Sequence, residues 1–465
     1  MNKNYYFDNL DRYGNKIAII TEQGQNISYK ELSKYMKKLD NIIFERDIVF
    51  LISDNNFEFI FSYLSLLKKR AVIFLINNNL SKDKLNNLIK IYSPNFILDT
   101  ENKTDLNFRS FFLLEKISNL KIFKRKKMIK IKTNINLAQL LSTSGSTGSP
   151  KFVMHSYQNL STNVQDIVKF LKISHKDVAI TTMHPSYTYG LSIINTHISV
   201  GATIILNNKT FFESKFWKVL RDHNVTNFGG VPFAFEIMKK LKFDRLDLPS
   251  LKYITQAGGK LSEEIIRYFI DLLKKKNKKF FTMYGQTEAT SRITILDWKY
   301  SEKKINSIGK PIGNYKLWIK ENNNSKNIGE LICKGNNVMM GYATNYNDLN
   351  NKISLETLNT GDLAYKDKDG FYFIEGRIKR IIKIYGLRVN LDEIQQYLKE
   401  NKFNCTCLGS DKYLNIYTEN EYNTKIISKL VSKEFGIKEK LIIFYPISEI
   451  PRDINGKIIY KISKL

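Results

Sequence analysis

From Asp47 to Thr100 the chain alternates short runs of consecutive apolar residues with longer segments whose apolar residues recur every three or four positions. In order these are "DIVFLIS", "NFEFIFSYLSLLKK", "AVIFLIN", "SKDKLNNLIKIY" and "NFILDT". The short apolar runs predict strands buried on both faces, and the periodic segments predict helices. Strand and helix in alternation build a parallel sheet covered by helices. The same texture resumes with "DVAITTM", "GATIILN" and "VTNFGGVP", the last followed by "FAFEIMKKLK". Between the two blocks, Ile135–Leu141 predicts a strand and "SYQNLSTNVQDIVKFL", 156–171, a helix, with a turn rich in Ser, Thr and Gly joining them.

After Ile312 the pattern shifts to short strands and turns, "YKLWIKENNNSKNIGELICKG" and "GDLAYKDKDGFYFIEGR", as in a small antiparallel sheet. From Ile378 to the end comes another mixture of strands and helices, about one small domain's worth. The expected class is α/β. A large N-terminal domain, 1–378, holds helix-covered, mostly parallel sheets plus a small β-rich subdomain, and a small mobile α+β domain, 379–465, completes the chain.

Composition narrows the function. With 465 residues, 43% of them hydrophobic, the chain fills more than one core and is not a disordered polymer. Its three Cys (333, 405 and 407) are too few for a disulfide framework or a four-Cys zinc site, so reduced core thiols are the expectation. "MNKNYYFDNL" lacks the apolar stretch of a signal peptide, and the greasiest later segment, Leu191–Leu206, contains Asn195 and His197. The expectation is a cytoplasmic protein without a membrane span. The net charge of +28 raises a nucleic-acid reading, with "KIFKRKKMIKIK", 121–132, as its densest patch. The basic residues are spread along the whole chain, however, and no helix-turn-helix, zinc finger or aromatic-basic RNA platform is recognisable, so a solvated surface is the better reading. Without Gly-x-Ser-x-Gly, and with five His in no suggestive spacing, a hydrolase is excluded.

The candidate chemistry begins at "LLSTSGSTGSPKFVMHS", 140–156. Hydroxyls of Thr143, Ser144, Ser146 and Thr147, the bare backbone of Gly145 and Gly148, and the cation of Lys151 suit phosphate oxygens, although Pro150 stands where a Walker A motif has Gly. Further on come "ITQAGGKLS" (254–262), "FFTMYGQTEAT" (280–290), "TGDLAYKDKDGFYFIEGRIKRIIKIYGLRVNLDEI" (360–394) and "PRDINGKIIY" (451–460). In this order the set strongly resembles the adenylate-forming superfamily of acyl- and aryl-CoA synthetases, luciferase-like enzymes and peptide-synthetase adenylation domains.

That resemblance implies a site for ATP and Mg2+. Tyr284 is similar to the adenine-stacking aromatic, beside the backbone of Ala257, Gly258 and Gly259. Thr287 and Glu288 match positions that meet phosphate and Mg2+, with Thr147 as a second metal contact; a carboxylate beside polyphosphate needs a hard cation between them. Asp362 resembles the ribose-binding acid and Arg377 its partner. Lys457 resembles the C-terminal lysine that stabilises the adenylation transition state. Lys379 matches the hinge, and Gly386, in "KIYGLR", the loop that gives a pantetheine arm room.

The implied reaction activates a small carboxylic acid to acyl-AMP with release of pyrophosphate, then transfers it to CoA or to the phosphopantetheine of an acyl carrier protein. In "HPSYTYGLS", Tyr187, aligned on Gly190, takes the place at the mouth of the acyl pocket, while His184 reads as a packed histidine. No Asp in that segment matches the counter-ion for an α-amino group, which favours a fatty, aryl or other simple acid unless a carboxylate such as Glu236 supplies it. Phe152 departs from the usual Gly and should narrow the exit of the phosphate loop. An amino-acid-adenylating ligase, a relative without catalysis and, less favoured, a basic nucleic-acid binder are the alternatives.

Overall fold

The computed structural model describes residues 5–101, 110–142, 151–321, 327–351, 355–385, 387–410, 412–419, 422–453 and 456–460. Thr143, Ser144, Gly145, Ser146, Thr147, Gly148 and Gly386 therefore lie outside the described residues.

Two large mixed sheets dominate. The first, of eight strands, has Leu137–Ser142, Val72–Asn77, Ile48–Ser53 and Phe96–Asp99 running parallel at its centre. Antiparallel strands Phe152–Ser156 and Gly341–Ala343 close one edge, and the hairpin Phe111–Ile117/Leu120–Arg125 closes the other. The second has thirteen strands; Val178–Ile180, Thr203–Ile205, Asn227–Gly230, Tyr253–Gln256 and Lys279–Tyr284 form its parallel part. The β-rich segment after Ile312 is hydrogen-bonded onto this sheet through Ser307–Pro311 rather than standing apart.

Helices Phe57–Lys68 and Thr188–Ser199 are packed into a core shared by both sheets. In the first, every residue from Phe57 to Leu67 is buried, and in the second every residue from Thr188 to Ile198. A helix covered on all sides is apolar on all sides, which explains the greasy Leu191–Leu206 stretch without a membrane. Among the described residues no helix is long and apolar enough to cross one.

After Tyr372–Arg377, the last segment in chain order to join the large sheets, a short 3₁₀ turn at Ile378–Arg380 carries Lys379. The remainder of the chain has its own two-stranded and three-stranded sheets and its own core, including Ile384, Ile394, Leu398, Ile416 and Val431. Cys405 and Cys407 are free and buried within it.

Candidate active site

The parallel strands of the thirteen-stranded sheet end side by side, so the backbone segments beyond them gather at one edge. After Tyr253–Gln256 the chain passes through Ala257, Gly258 and Gly259. Gly258 has φ +88°, and a Cβ there would lie 2.5 Å from the Tyr187 hydroxyl; one on Gly259 would lie 3.2 Å from Pro232. Bare backbone is therefore required at Gly258 on two counts.

Tyr284 ends the adjoining strand and donates its hydroxyl to Asp362 Oδ2 at 2.6 Å. Asp362 Oδ1 accepts from Arg377 Nε at 3.1 Å, the two residues being direct cross-strand partners. Only 3% of Asp362 is exposed. Burial pushes its pKa up, while Arg377, the Tyr284 hydrogen bond and Lys457 pull it down. The Asp362 charge in turn holds Arg377 above its ordinary value.

Thr287–Ala289 forms a 3₁₀ turn after Tyr284. Met339 N–H donates to the Glu288 carbonyl at 2.9 Å, and the Tyr342 hydroxyl to Glu288 Oε1 at 3.0 Å. Lys151 Nζ lies 3.4 Å from the centre of the Tyr342 ring, so the cation closing the Ser/Gly-rich turn is joined to Glu288 through one aromatic ring. Behind them Asn159, capped reciprocally with Ser156, donates to the carbonyls of Asn336 and Val338 and fixes the segment that fixes Glu288.

A second support reaches Thr287. His155, fully buried, contacts the Thr287 carbonyl through Nε2 at 2.7 Å, and Gln139 Nε2 donates to His155 Nδ1 at 3.2 Å. Because the carbonyl only accepts, the ring proton sits on Nε2. Burial pushes the imidazole down to about 4, so it is neutral and keeps that tautomer near pH 7. The Tyr63 hydroxyl donates to Gln139 Oε1 at 2.8 Å and completes the string.

Lys457 comes from the far end of the chain. Asp453 and Lys457 close a turn: Asp453 N–H donates to the Lys457 carbonyl at 2.8 Å and Lys457 N–H to Asp453 Oδ1 at 3.0 Å. The turn rests on Phe233, with Arg452 over its ring at 4.8 Å and Gly456, φ +79°, edging it so closely that a Cβ would come within 3.2 Å. Lys399 pairs with Glu236 across the same face. Delivered there, Lys457 feels the charges of Asp362 and Glu288 together; burial foremost, then Arg377, lowers its pKa, against Asp453, Asp362 and Glu288.

On the acyl side Tyr187 precedes the helix Thr188–Ser199, and its ring centre is 6.3 Å from that of Tyr189 at 76°. A Cβ on Gly190 would meet the His184 carbonyl at 2.8 Å, so the close turn at the helix start excludes a side chain. His184 is buried and its Nδ1 accepts from Ser186 Oγ at 2.7 Å, a packed histidine. Glu236 is paired with Lys399. The Phe152 ring is buried in the core, 5.1 Å from Phe74 and 5.5 Å from Tyr92, and the loop whose exit it was expected to narrow lies outside the described residues.

The structure thus joins Lys151 to Glu288 through the Tyr342 ring, Tyr284 to Asp362 and Arg377, and Tyr187 to Gly258, while Lys457 feels the charges of Asp362 and Glu288. It also contains a residue the sequence did not single out. Arg292, 3% exposed, stacks with Tyr189 at 5.2 Å, yet its Nε and Nη1 have no hydrogen-bond partner, and neither has the hydroxyl of Tyr253, 6% exposed. Each unmet buried donor costs about 1–3 kcal/mol. The legible signal was an Arg shortly after Thr287 in an otherwise apolar and hydroxyl-bearing stretch.

The sequence pattern of the family described as AMP-binding enzyme matches residues 6–343. A 2-succinylbenzoate–CoA ligase of Oceanobacillus iheyensis is 26% identical over 399 residues, covering 82% of this chain and 80% of its own length. Bacitracin synthase 3 of Bacillus licheniformis is 26% identical over 481 residues, 97% of this chain but only 7% of that protein. The o-succinylbenzoate coenzyme A synthetase of Bacillus subtilis, solved with ATP and magnesium ion, shares the fold with a TM-score of 0.81 at 20% identity over 98% of both chains.

Proposed function

This chain belongs to the AMP-binding enzyme family, and from that premise we propose that it activates a carboxylic acid other than an α-amino acid and passes the acyl group to a thiol. It is an adenylate-forming enzyme; the ligase class, the acid and the acceptor are the proposal. In the first step a carboxylate oxygen attacks the α-phosphorus of ATP, the bond to the bridging oxygen breaks, and pyrophosphate leaves. Negative charge grows on the α-phosphate as this happens. Lys457 is assigned to that charge, a cation that stabilises the transition state more than the ground state. Asp362 and Arg377 are assigned to the ribose, and Tyr284 with the Gly258–Gly259 backbone to the base. Thr287 and Lys151, together with the hydroxyls from Thr143 to Thr147, are assigned to the phosphates.

Glu288 fits Mg2+: among the described residues Oε1 accepts a neutral hydroxyl from Tyr342, and the carboxylate offers oxygen donors of the kind a hard cation takes. Bound there, the ion would neutralise phosphate charge. In the second step the thiol adds to the acyl carbonyl carbon and AMP departs. Lys457 covers the approach, so the residues after Lys379 turn away first and bring the loop at Gly386 to the cleft. The acceptor is CoA or a carrier-protein pantetheine.

The reading is carried by the turn that bears Lys457, which rests on Phe233, together with the reach of the Asp362 and Glu288 charges to that lysine. Acid-dependent exchange of labelled pyrophosphate into ATP, run over fatty, aryl, dicarboxylic and amino acids, tests it. Exchange with a non-amino acid is the expected result. Exchange confined to α-amino acids would select the amino-acid-adenylating alternative, and no exchange with any acid would refute the proposal.

A further inference from the structure

The basic segment 121–132 has no task in the chemistry above. Between Phe111 and Lys132 the sequence carries eight Lys or Arg and one acid, Glu115. The structure adds that apolar side chains stand exposed among these cations: Phe112, Leu113, Leu114, Met128 and Ile129 are each between 39% and 46% exposed. Grouped apolar exposure of this kind marks a contact surface rather than ordinary solvated chain.

The backbone fixes where that surface lies. Phe111–Ile117 is the last strand of the eight-stranded sheet, with no partner on its outer edge among the described residues, and the five residues from Phe112 to Lys116 are all exposed. Phe112 stands opposite Lys124 in the adjoining strand. Beyond that strand the chain crosses the sheet at the N-terminal ends of its parallel strands. Arg125 Nε donates to the Pro94 carbonyl at 2.8 Å, Asn95 Nδ2 to the Ile129 carbonyl at 3.3 Å, and Arg46 Nη2 to the Asn134 carbonyl at 2.6 Å. With the backbone held against those strand ends, Lys126, Lys127, Met128, Ile129 and Lys130 all face solvent. Hairpin edge and crossing segment make one rim in which apolar and cationic side chains interleave. Lys151 belongs to the opposite end of the sheet, where Phe152 pairs with Ser142.

We propose that this rim docks on a membrane surface of anionic lipid, the lysines meeting headgroup charge while the exposed Phe, Leu, Met and Ile side chains enter the boundary of the acyl chains. Charge complementarity selects this occupant. A second copy pairing edge to edge would bring two sets of the same cations together. Nucleic acid would find one exposed aromatic, Phe112, among aliphatic side chains, which is no stacking platform. An acidic carrier protein presenting a thiol has to reach the other end of the sheet. Docked by the rim, the chain keeps the Lys151 end turned away from the lipid, so the proposal is independent of which acid and acceptor the site takes.

The test is co-sedimentation of the full chain with vesicles of phosphatidylcholine alone and of phosphatidylcholine with about 30% phosphatidylglycerol, at about 0.1 M and about 0.5 M NaCl. Wild type is compared with the triple variants Phe112→Ser/Leu113→Ser/Leu114→Ser and Lys126→Gln/Lys127→Gln/Lys130→Gln. The charge-matched control is Lys218→Gln/Lys240→Gln/Lys275→Gln, three exposed lysines on helices packed against the other sheet. Tm and pyrophosphate exchange are read for each. Expected is binding to the anionic vesicles alone, about 10-fold or more weaker at the higher salt. Each lysine at such a surface is worth about five-fold in affinity, so the rim lysine triple should lose about 100-fold and the control a few-fold at most. The serine triple should lose about 10-fold or more, with exchange near wild type. Equal losses in rim and control variants would show diffuse attraction of a basic chain and overturn the proposal. A dimer that the serine triple dissolves without any vesicle binding, or binding to duplex DNA in preference to anionic vesicles, would overturn it too. If the serine triple does not fold, the lysine triple against its control decides.

Discussion

Asp362→Asn separates the work of this side chain from its cost. The carboxylate is nearly inaccessible, takes one hydrogen bond from Tyr284 at 2.6 Å and one ion pair from Arg377 at 3.1 Å, and has lone pairs left for the two hydroxyls of a ribose. Asparagine keeps the shape and one acceptor oxygen but loses the charge and the second acceptor. A hydrogen bond to a charged group is worth about 1.5–3 kcal/mol, so KM for ATP should rise by about 10- to 100-fold. Stability should move the other way. The folded-state pKa of Asp362 is raised above its unfolded value, so the folded protein holds that proton more tightly. Ionisation there costs stability as pH rises through the folded pKa, and the cost is absent below the unfolded value. At pH 7 the variant should therefore melt at the wild-type temperature or above, and this advantage should vanish at acid pH. The assay is pyrophosphate exchange with ATP and 2′-deoxy-ATP beside thermal denaturation. Wild type should prefer ATP by about 10-fold or more, and Asp362→Asn should scarcely distinguish the two. A variant with wild-type KM and undiminished preference for the 2′-hydroxyl would refute the ribose assignment.

Other substitutions probe other supports. Lys457→Arg should retain exchange at alkaline pH where wild type declines: the lysine works as a cation, and its lowered pKa brings the loss of rate below the ordinary lysine range as pH rises. Gly258→Ala, with φ +88° and a 2.5 Å approach to the Tyr187 hydroxyl, should cost about 1–3 kcal/mol and most of the exchange rate; adding Tyr187→Phe should restore part of the Tm. His155→Leu should raise the Mg2+ concentration for half-maximal exchange several-fold by freeing the Thr287 carbonyl. His155→Gln, which can place an N–H where Nε2 stood, should return it close to wild type, and equal effects of both would show a merely structural role.

The alternating strands and helices of 47–100 were legible because each run keeps a single period along its whole length, and the first three motifs because each sits where the backbone leaves a strand. Contacts between distant segments were not. Phe152–Ser156 is a strand buried throughout, but so short a run between a polar turn and a helix carries no period of its own. The hairpin Phe111–Arg125 has exposed Phe112, Leu113 and Leu114 in its first strand, so period-2 patterning fails there, and its second strand runs into the basic patch of 121–132. His155 gains its meaning only from its cross-strand partner Gln139, and Arg292 only from the partners it lacks, neither of which is written locally.

The central claim is that a lysine from the C-terminal end enters the cleft for the first chemical step alone. Lys457→Ala, measured separately for pyrophosphate exchange and for thioester formation from supplied acyl-adenylate, tests it most directly. Exchange should fall by roughly 10²- to 10³-fold, with the thiol step within a few-fold of wild type. Equal loss in both steps, or exchange at the wild-type rate, would contradict it.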